Sequence, residues 1–418
     1  MADGNQVCVV GAAGRVGLPF ALVLADAGYS VWGLDIAGDR VARLNAGRMP
    51  FREDGGPPRL AAAHAAGALA FTTDPACIPG CAVVVVMLGT PADCDGDPSA
   101  DQLTAFVEAN HHRLRAGQLV VLRSTLAPGT TDALRERLAT RTGLVESRDY
   151  VLACVPERVK QGEAIAETRE LPNLVGTYTQ EAHARTAAFL AAFSHGEAIA
   201  LTPREAEVGK LITNAARYIS FAVANEVYLL CQRHGVAAHR VIAACNHGYP
   251  RLDLPAPGPN VGGPCLAKDG KFLVEGVPFG ELIRAATTIN ESLPIWLADR
   301  ARSMARIERA VILGMTFKAE ADDPRHSLSF RLHKTLVRAG IAVARIDPYL
   351  PESDPWAAMA GADAAFVMTP HAAFRDLDAV AAAIGNPACL MVDVWELWGM
   401  GRDATPEGFF TLGERAAA

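Results

Sequence analysis

The chain begins with a strand, a glycine turn and a helix in immediate succession, and no other feature restricts its fold as much. QVCVV is a short β-branched run, GAAGRVG makes the turn, LPFALVLADAG carries helical spacing, and YSVWGLD is a second strand that ends on an acid. In such a β-α-β unit Gly11 permits the tight turn, Gly14 lets the backbone approach a pyrophosphate, and Gly17 lets helix and strand pack closely, while the helix N-terminus faces the phosphates. Asp35 closes the second strand at the roughly 20-residue distance expected of the acid that bonds a ribose 2′-hydroxyl, and its charge repels a 2′-phosphate. The segment therefore predicts a dinucleotide site that prefers NAD to NADP. Its glycines are spaced GxxGxxG rather than GxGxxG, so Asp35 is what separates it from a glycine-rich turn of any α/β protein.

The same rule repeats along the chain. AVVVVMLGTP and QLVVLRSTLAPGTT each run from an apolar strand into small and hydroxyl residues, where open α/β sheets bind ligands, and YVLACVPERV places Glu157 just past a strand. At Pro203 the period changes: TPREAEVGKLITNAARYISFAVANEVYLLCQRHG predicts one long helix, with Thr202 as its cap, Pro203 in the first turn and Gly235 at its end. Lys210 and Asn214 share a face of this helix, one turn apart. A second helix is expected from about Glu281 to Arg306, kinked or interrupted at Pro294. RAVILGMTF then opens another alternating half, with a helix through SFRLHKTLVRAG, a strand IAVARID, a helical stretch to Ala360, and strands AAFVMTP and CLMVD. The predicted fold class is α/β: two Rossmann-like doubly wound domains joined by a central helical domain, divided at about 1–200, 201–300 and 301–418.

Composition narrows the function classes. The 418 residues carry 39 basic against 46 acidic side chains, a net charge of −7 without a compensating basic run, so nucleic acid is not an expected partner. The longest uncharged stretch, Pro75 to Ala92, is broken by Pro79, Gly80 and Gly89 and reads as a turn plus one buried strand, so no membrane span is expected. The start, MADGNQVCVVGAAG, leaves no room for a signal peptide, and a cytoplasmic location is expected. Nine cysteines, without CxxC or His-linked spacing, argue against a disulfide framework and against a metal site. Cys265 stands apart by its context, NVGGPCLAKD. A glycine pair, a proline and an adjacent lysine predict a flexible, partly exposed loop with a cation near, which is what a reactive thiolate requires.

Taken in order, these segments resemble the nucleotide-sugar 6-dehydrogenases, the UDP-glucose, GDP-mannose and UDP-N-acetylhexosamine dehydrogenase family, along nearly the whole chain. The resemblance rests on a series: VGLP after the glycine turn, GTP at Gly89 to Pro91, STLAPGTT from Ser124, PERV from Pro156, the KLITN helix, GGPCLAKD, GMTFKAEADDPRHS, IDPY and TPHAAF. It implies that Cys265 attacks the aldehyde formed when the sugar C6 alcohol loses its first hydride, that a second hydride leaves to a second NAD, and that water hydrolyses the resulting thioester to the uronic acid. Lys210 and Asn214 are implied as oxyanion donors, Asp269 as the acceptor of the alcohol proton through a bound water, and Glu157 with Thr125 as the pair that positions or activates the hydrolytic water. Asp269 also suits a second reading, as the cap of a following helix GKFLVEG. The cofactor residues implied are Gly11, Gly14, Arg15, Val16, Asp35, Arg40, Gly89, Thr90, Pro91, Ser124, Thr125 and Lys268. Those for the sugar nucleotide are Glu157, Arg158, Lys210, Asn214, Arg251, Gly262, Lys318 and Arg325, with Arg251 reaching into the neighbouring subunit's site of a homodimer and Arg325 as an alternative loop-holding residue.

One position departs from the family pattern. Where many relatives carry an arginine that helps hold the substrate, VDVWELWG places Trp395, whose indole can stack or pack but cannot pair with phosphate. PERV leans toward the N-acetylhexosamine branch and the Lys268, Asp269 pair toward the UDP-glucose and GDP-mannose branches, so the sugar stays open. Two further readings remain beside four-electron oxidation: a two-electron β-hydroxyacid-type dehydrogenase, and a nucleotide-sugar binding or regulatory protein without turnover.

Overall fold

The computed structural model describes residues 3–90, 101–274, 277–398 and 408–412. The chain divides into two compact units, Met1–Thr213 with Lys271–Glu275, and Asn214–Gly270 with Gly276–Ala418.

The first unit is built on an eight-stranded sheet. Its strands are β1 (Asp3–Val10), β2 (Ser30–Leu34), β3 (Leu69–Thr72), β4 (Cys81–Val86), β5 (Leu119–Leu122), β6 (Val151–Cys154), β7 (Asn173–Gly176) and β8 (Ala198–Leu201), in the order 3-2-1-4-5-6-7-8. Helices α1 (Gly17–Asp26), α2 (Gly38–Asn45), α3 (Gly56–Ala65), α4 (Asp101–Asn110), α5 (Thr130–Thr142), α6 (Ala164–Glu170) and α7 (Gln180–Ala191) connect them. Each neighbouring pair is parallel except β6 with β7. Strand β1 alternates its side chains between two cores: Val7 and Val9 pack with Leu18 and Leu22 of α1 on one face, and Cys8 and Val10 with Val84, Val86 and Leu122 on the other. Burial on both faces explains why these strands read as near-continuous apolar runs. The strand order reverses at β1, between β2 and β4, and such a switch point opens a ligand crevice beyond the carboxyl ends of the strands.

Helix α8 (Pro203–His234) is the long helix the sequence predicts. Its start is a capping box. The Thr202 backbone N–H and hydroxyl both donate to Glu205 Oε2, at 2.7 and 2.8 Å, and the Glu205 N–H donates back to Thr202 Oγ1 at 3.3 Å. Then come α9 (Ala238–Asn246), α10 (Gly263–Val274) and α11 (Glu281–Met304). Helix α11 runs through Pro294 without a break, against the interruption expected there. Pro294 forfeits one backbone bond, but Leu293, Leu297, Ala298 and Ala301 are buried in one apolar core and hold the helix on either side.

The second unit carries a five-stranded sheet, β9 (Arg309–Leu313), β10 (Ala342–Ile346), β11 (Ala364–Val367), β12 (Leu390–Val392) and β13 (Phe409–Thr411), in the order 10-9-11-12-13. Its pairs are parallel except β12 with β13. Helices α12 (Ser329–Arg338) and α13 (Leu377–Ile384) complete it. Both α/β halves of the expected architecture are thus present. The helical stretch expected up to Ala360 is only a 3-10 turn at Trp356–Met359, because Pro355 enters it and Asp354 is drawn back onto Arg345 of β10 through paired backbone and side-chain bonds.

Candidate active site

At the switch point of the first unit the glycine turn has the shape the sequence requires. Gly11 sits at φ +85°, and a Cβ there would lie 2.7 Å from the Met87 carbonyl oxygen; one on Gly17 would lie 2.2 Å from the Gly11 carbonyl oxygen. No side chain fits at either place. Asp35 is half-buried, with its carboxylate oriented by the Ala13 N–H on Oδ2 (2.9 Å) and the Ala37 N–H on Oδ1 (3.0 Å). Each oxygen keeps a lone pair for a ribose hydroxyl. The Arg15 guanidinium lies over the Phe51 ring at 5.1 Å, Val16 is the 39 % exposed N-cap of α1, and Arg40 is exposed on α2. Gly89 is exposed and Thr90 buried just past β4; Pro91 lies outside the described residues. Just past β5, the buried Ser124 hydroxyl has no hydrogen-bond partner among the described residues. A donor left open in a dinucleotide crevice, beside a turn with no room for Cβ atoms, fits NAD.

Two carboxylates, the half-buried Glu157 and the buried Glu207, fix the next loops. Glu157 accepts Arg123 Nε (3.2 Å) and Nη2 on one oxygen and the N–H groups of Arg158 (2.7 Å) and Val159 (3.0 Å) on the other. Burial pushes its pKa up, but the charge and bonds of Arg123 outweigh this and hold it below the usual carboxylate range. Arg123 itself is buried, with Phe20 stacked at 4.6 Å. Glu157 is therefore a fixed anion, poorly suited to accept a proton. The Arg158 guanidinium turns to the Pro172 carbonyl. Glu207, on α8, accepts from the Gly129 N–H (2.6 Å), the Thr131 N–H (2.7 Å) and the Thr131 hydroxyl (2.6 Å), capping α5 and so fixing the STLAPGTT loop that carries Ser124 and Thr125. Sequence reasoning passed over Arg123 and this role of Glu207. Both partners are distant in the chain.

In the second unit Cys265 is not on a loop. It occupies the first turn of α10, which starts at Gly263 with Pro264 next, the residue best suited to that position. The thiol is exposed and lies at a helix N-terminus, an environment that favours the thiolate. One turn on, Asp269 is fully buried inside α10, so it does not cap a later helix. Its Oδ2 accepts from Asn214 Nδ2 at 2.6 Å, and Lys268 Nζ pairs with Oδ1 at 3.1 Å. Lys210 is buried one turn before Asn214 on α8. Gly262 holds φ +109°, and a Cβ there would lie 2.8 Å from the Tyr218 ring, so this glycine is demanded by the turn itself.

The loop after β9 carries Lys318 and Arg325. Arg325 forks onto Asp323 with Nε at 2.9 Å from Oδ1 and Nη2 at 2.7 Å from Oδ2. Its pKa is raised by that bonding first, against burial, then by the charge of Asp323 and finally by Cys265. Arg325 thus holds the loop and is also a cation whose charge is felt by the thiol. Arg251 is exposed, its guanidinium 4.5 Å from the Tyr249 ring and its Nε donating to the Tyr249 hydroxyl at 3.1 Å. Trp395 is a packing residue: its Nε1 donates to the Met368 carbonyl at 3.0 Å, and its ring fills the space where Gly258 lacks a side chain.

Asp347 closes β10 as Asp35 closes β2, yet it is occupied differently. Its side chain is fully buried, accepts the N–H groups of Met315 (2.6 Å), Thr316 (3.0 Å) and Tyr349 (2.9 Å), and meets His371 Nε2 at 3.3 Å. Burial raises its pKa, and these bonds, led by His371, bring it below the ordinary value. Among the described residues no acid, His or Cys cluster could hold a metal ion, and no helix is long and apolar enough to cross a membrane.

Comparison with known proteins matches three successive family models. Residues 5–194 match the NAD-binding domain of the UDP-glucose/GDP-mannose dehydrogenase family, 204–292 its central domain and 311–400 its UDP-binding domain. The chain belongs to this family. It is an NAD-dependent nucleotide-sugar dehydrogenase, and NAD is its cofactor. The dehydrogenase is 32 % identical over 398 residues to the NDP-N-acetyl-D-galactosaminuronic acid dehydrogenase of Ralstonia nicotianae, covering 90 % of this chain and 93 % of that one. It is 29 % identical over 385 residues to the UDP-N-acetyl-D-mannosamine dehydrogenase of Methanocaldococcus jannaschii, covering 90 % and 88 %. Among solved structures it is similar to the UDP-D-ManNAc dehydrogenase of Pyrococcus horikoshii, with a TM-score of 0.88 and 28 % identity over 96 % of this chain and 99 % of that one.

Proposed function

We propose that this dehydrogenase oxidises the C6 alcohol of a UDP-linked N-acetylhexosamine to the uronic acid, in four electrons, through a thioester on Cys265. The observation that carries the reading is an exposed thiol in the first turn of α10 followed one turn later by a buried carboxylate tied to Asn214 and Lys268. The choice of an N-acetylated sugar rests on relatives named for N-acetylmannosamine and N-acetylgalactosaminuronic acid substrates.

NAD, when bound, supplies the hydride acceptor at both oxidation levels. Asp269, through a water, takes the proton of the C6 hydroxyl; Asn214 and Lys268 keep it aligned. Cys265 then adds to the C6 aldehyde, forming the carbon–sulfur bond. Lys210 and Asn214 donate to the oxyanion, an interaction that fixed groups make best in a site closed to water. Glu157 and Thr125 hold the water whose oxygen becomes part of the carboxylate as the carbon–sulfur bond breaks and the thiolate returns. Lys318 and Arg325 take the diphosphate side. Arg251, already turned outward on Tyr249, reaches a partner's site in a homodimer. The three-part division near residues 200 and 300, and a cytoplasmic setting that keeps Cys265 reduced, complete the reading.

The test is NADH formed per sugar consumed, on UDP-N-acetylmannosamine, UDP-N-acetylgalactosamine, UDP-N-acetylglucosamine, UDP-glucose and GDP-mannose, beside Cys265→Ser. Two NADH per sugar, with the variant unable to complete turnover, is the expected result. One NADH per sugar, or a fully active variant, would sink the thioester route.

A further inference from the structure

Asn260 lies five residues before Cys265 and is 4 % exposed, at the centre of a polar network that no catalytic role explains. Its Nδ2 lies 2.8 Å from the Thr316 carbonyl, 3.0 Å from Thr369 Oγ1, 3.0 Å from Ser327 Oγ and 3.2 Å from Ser329 Oγ. Its Oδ1 accepts from the Leu328 N–H at 2.7 Å. The hydroxyl protons fix the polarity of this network. Ser329 donates to the Gly314 carbonyl (2.8 Å) and Thr369 to the Thr316 carbonyl (2.5 Å), so both oxygens turn lone pairs toward Asn260. The position therefore needs a group with an acceptor on one side and donors on the other, within the size of an amide.

These partners come from three places on one crevice: the turn after β9, the entry to α12 and the end of β11. Together they form the carboxyl edge of the second unit's sheet, where an α/β fold binds its ligand. The turn after β9 leads directly to Lys318 and Arg325. On the other side of Asn260 the chain has little freedom before it reaches the thiol, because a Cβ on Gly262 would meet the Tyr218 ring at 2.8 Å and one on Gly263 the Phe317 ring at 2.5 Å.

We propose that Asn260 is a positioning residue that locks the first turn of α10, and with it Cys265, to the nucleotide-sugar loop between β9 and α12. The proposal rests on the reading of Cys265 as the nucleophile. A ligand seated on that loop is then held in register with the thiol by one side chain. Asn260→Asp keeps the size and the Leu328 bond but removes the donors, leaving a carboxylate against a carbonyl and two hydroxyl lone pairs. Ser329→Ala removes one acceptor and leaves Asn260 in place, a milder lesion in the same network.

The experiment measures turnover on the active sugar and, separately, the rate at which iodoacetamide alkylates Cys265, followed by mass spectrometry of its peptide with and without UDP. In the unaltered protein UDP shifts the alkylation rate. In Asn260→Asp that response is lost and kcat falls by about 10- to 100-fold, as a displacement of about 1 Å at a reacting group produces, while KM changes less than about threefold and NAD affinity is kept. Ser329→Ala moves both readouts the same way by a smaller factor. The proposal is overturned if UDP leaves the alkylation rate of the unaltered protein unchanged, or if both variants keep its kcat and its response to UDP. It is also overturned if Asn260→Asp loses NAD affinity with the fold while Ser329→Ala behaves as unaltered. A fully active Cys265→Ser would instead remove the nucleophile reading, and the alkylation data would still report whether Asn260 holds the helix turn.

Discussion

Gly258→Ala is predicted to damage the segment that leads to Cys265, and its cost follows from one ring. A Cβ at this position would lie 2.1, 2.4 and 2.6 Å from three atoms of the Trp395 indole, far inside van der Waals contact. The ring has no easy retreat, because Nε1 is bonded to the Met368 carbonyl and the residue is packed in the core on that side of the sheet. Nor can the backbone yield, since the Gly258 N–H is held at 2.9 Å by Asn225, which is itself bonded to the buried Asn290. Overpacking of this kind costs about 1–3 kcal/mol, and breaking the indole bond to make room adds about 1 kcal/mol. Gly258 is outside the left-handed region, so none of the cost comes from backbone conformation. The assay is a double-mutant cycle with Trp395→Leu, read by urea denaturation under tryptophan fluorescence. If the ring is the whole cause, Gly258→Ala costs less by at least about 1 kcal/mol when the ring is gone. A neutral Gly258→Ala, or additive losses, would refute the reasoning.

Other outcomes follow from buried carboxylates. Glu207→Gln replaces one accepting oxygen by a donor that faces an N–H at the start of α5, so we expect a loss of about 1–3 kcal/mol in stability and a raised KM for NAD, measured by initial rates; unchanged values would remove Glu207 as the anchor of that loop. Asp393 is buried, and desolvation pushes its pKa up to about 6. An acid whose folded pKa lies above its unfolded value of about 3.9 contributes its stability below that unfolded value and loses it as pH rises through the folded one, here about 3 kcal/mol between pH 4 and 6. Asp393→Asn does not titrate, so its urea midpoint should gain on the unaltered protein between pH 4.5 and pH 7.5; parallel profiles would refute the assignment.

Much of the fold was legible because the decisive signals are local. The glycine turn with Asp35, the apolar strands buried on both faces, and the capping box that starts α8 each lie within a few dozen residues. Strands β7, β8 and β13, of three or four residues each, were not, since such short segments carry weak patterns. Cys265 was singled out by its context but was read as loop, because Gly-Gly-Pro signals a turn as readily as the first turn of a helix. The missing parts of the site are long-range. Arg123 meets Glu157 across two strands, Glu207 reaches back from α8 to α5, and the partners of Asn260 lie 56 to 109 residues away in the chain. Asp347 could have been found by the strand-ending rule that identified Asp35, but its partner His371 could not.

That last pair bears on how the protein tells its two nucleotide ligands apart. A chain that repeats one architecture offers two crevices, and both ligands carry a ribose and a diphosphate, so each could in principle settle in the wrong half. At the end of β2 the acid is oriented by backbone and left half-open. At the end of β10 three backbone N–H groups and an imidazole hold the acid with its side chain fully buried, out of reach of a ribose hydroxyl. Blocking one copy of a shared recognition element in this way would sort the two ligands between the halves. Excess NAD should consequently compete poorly for the second half, so that raising the cofactor concentration leaves the affinity for the sugar nucleotide unchanged.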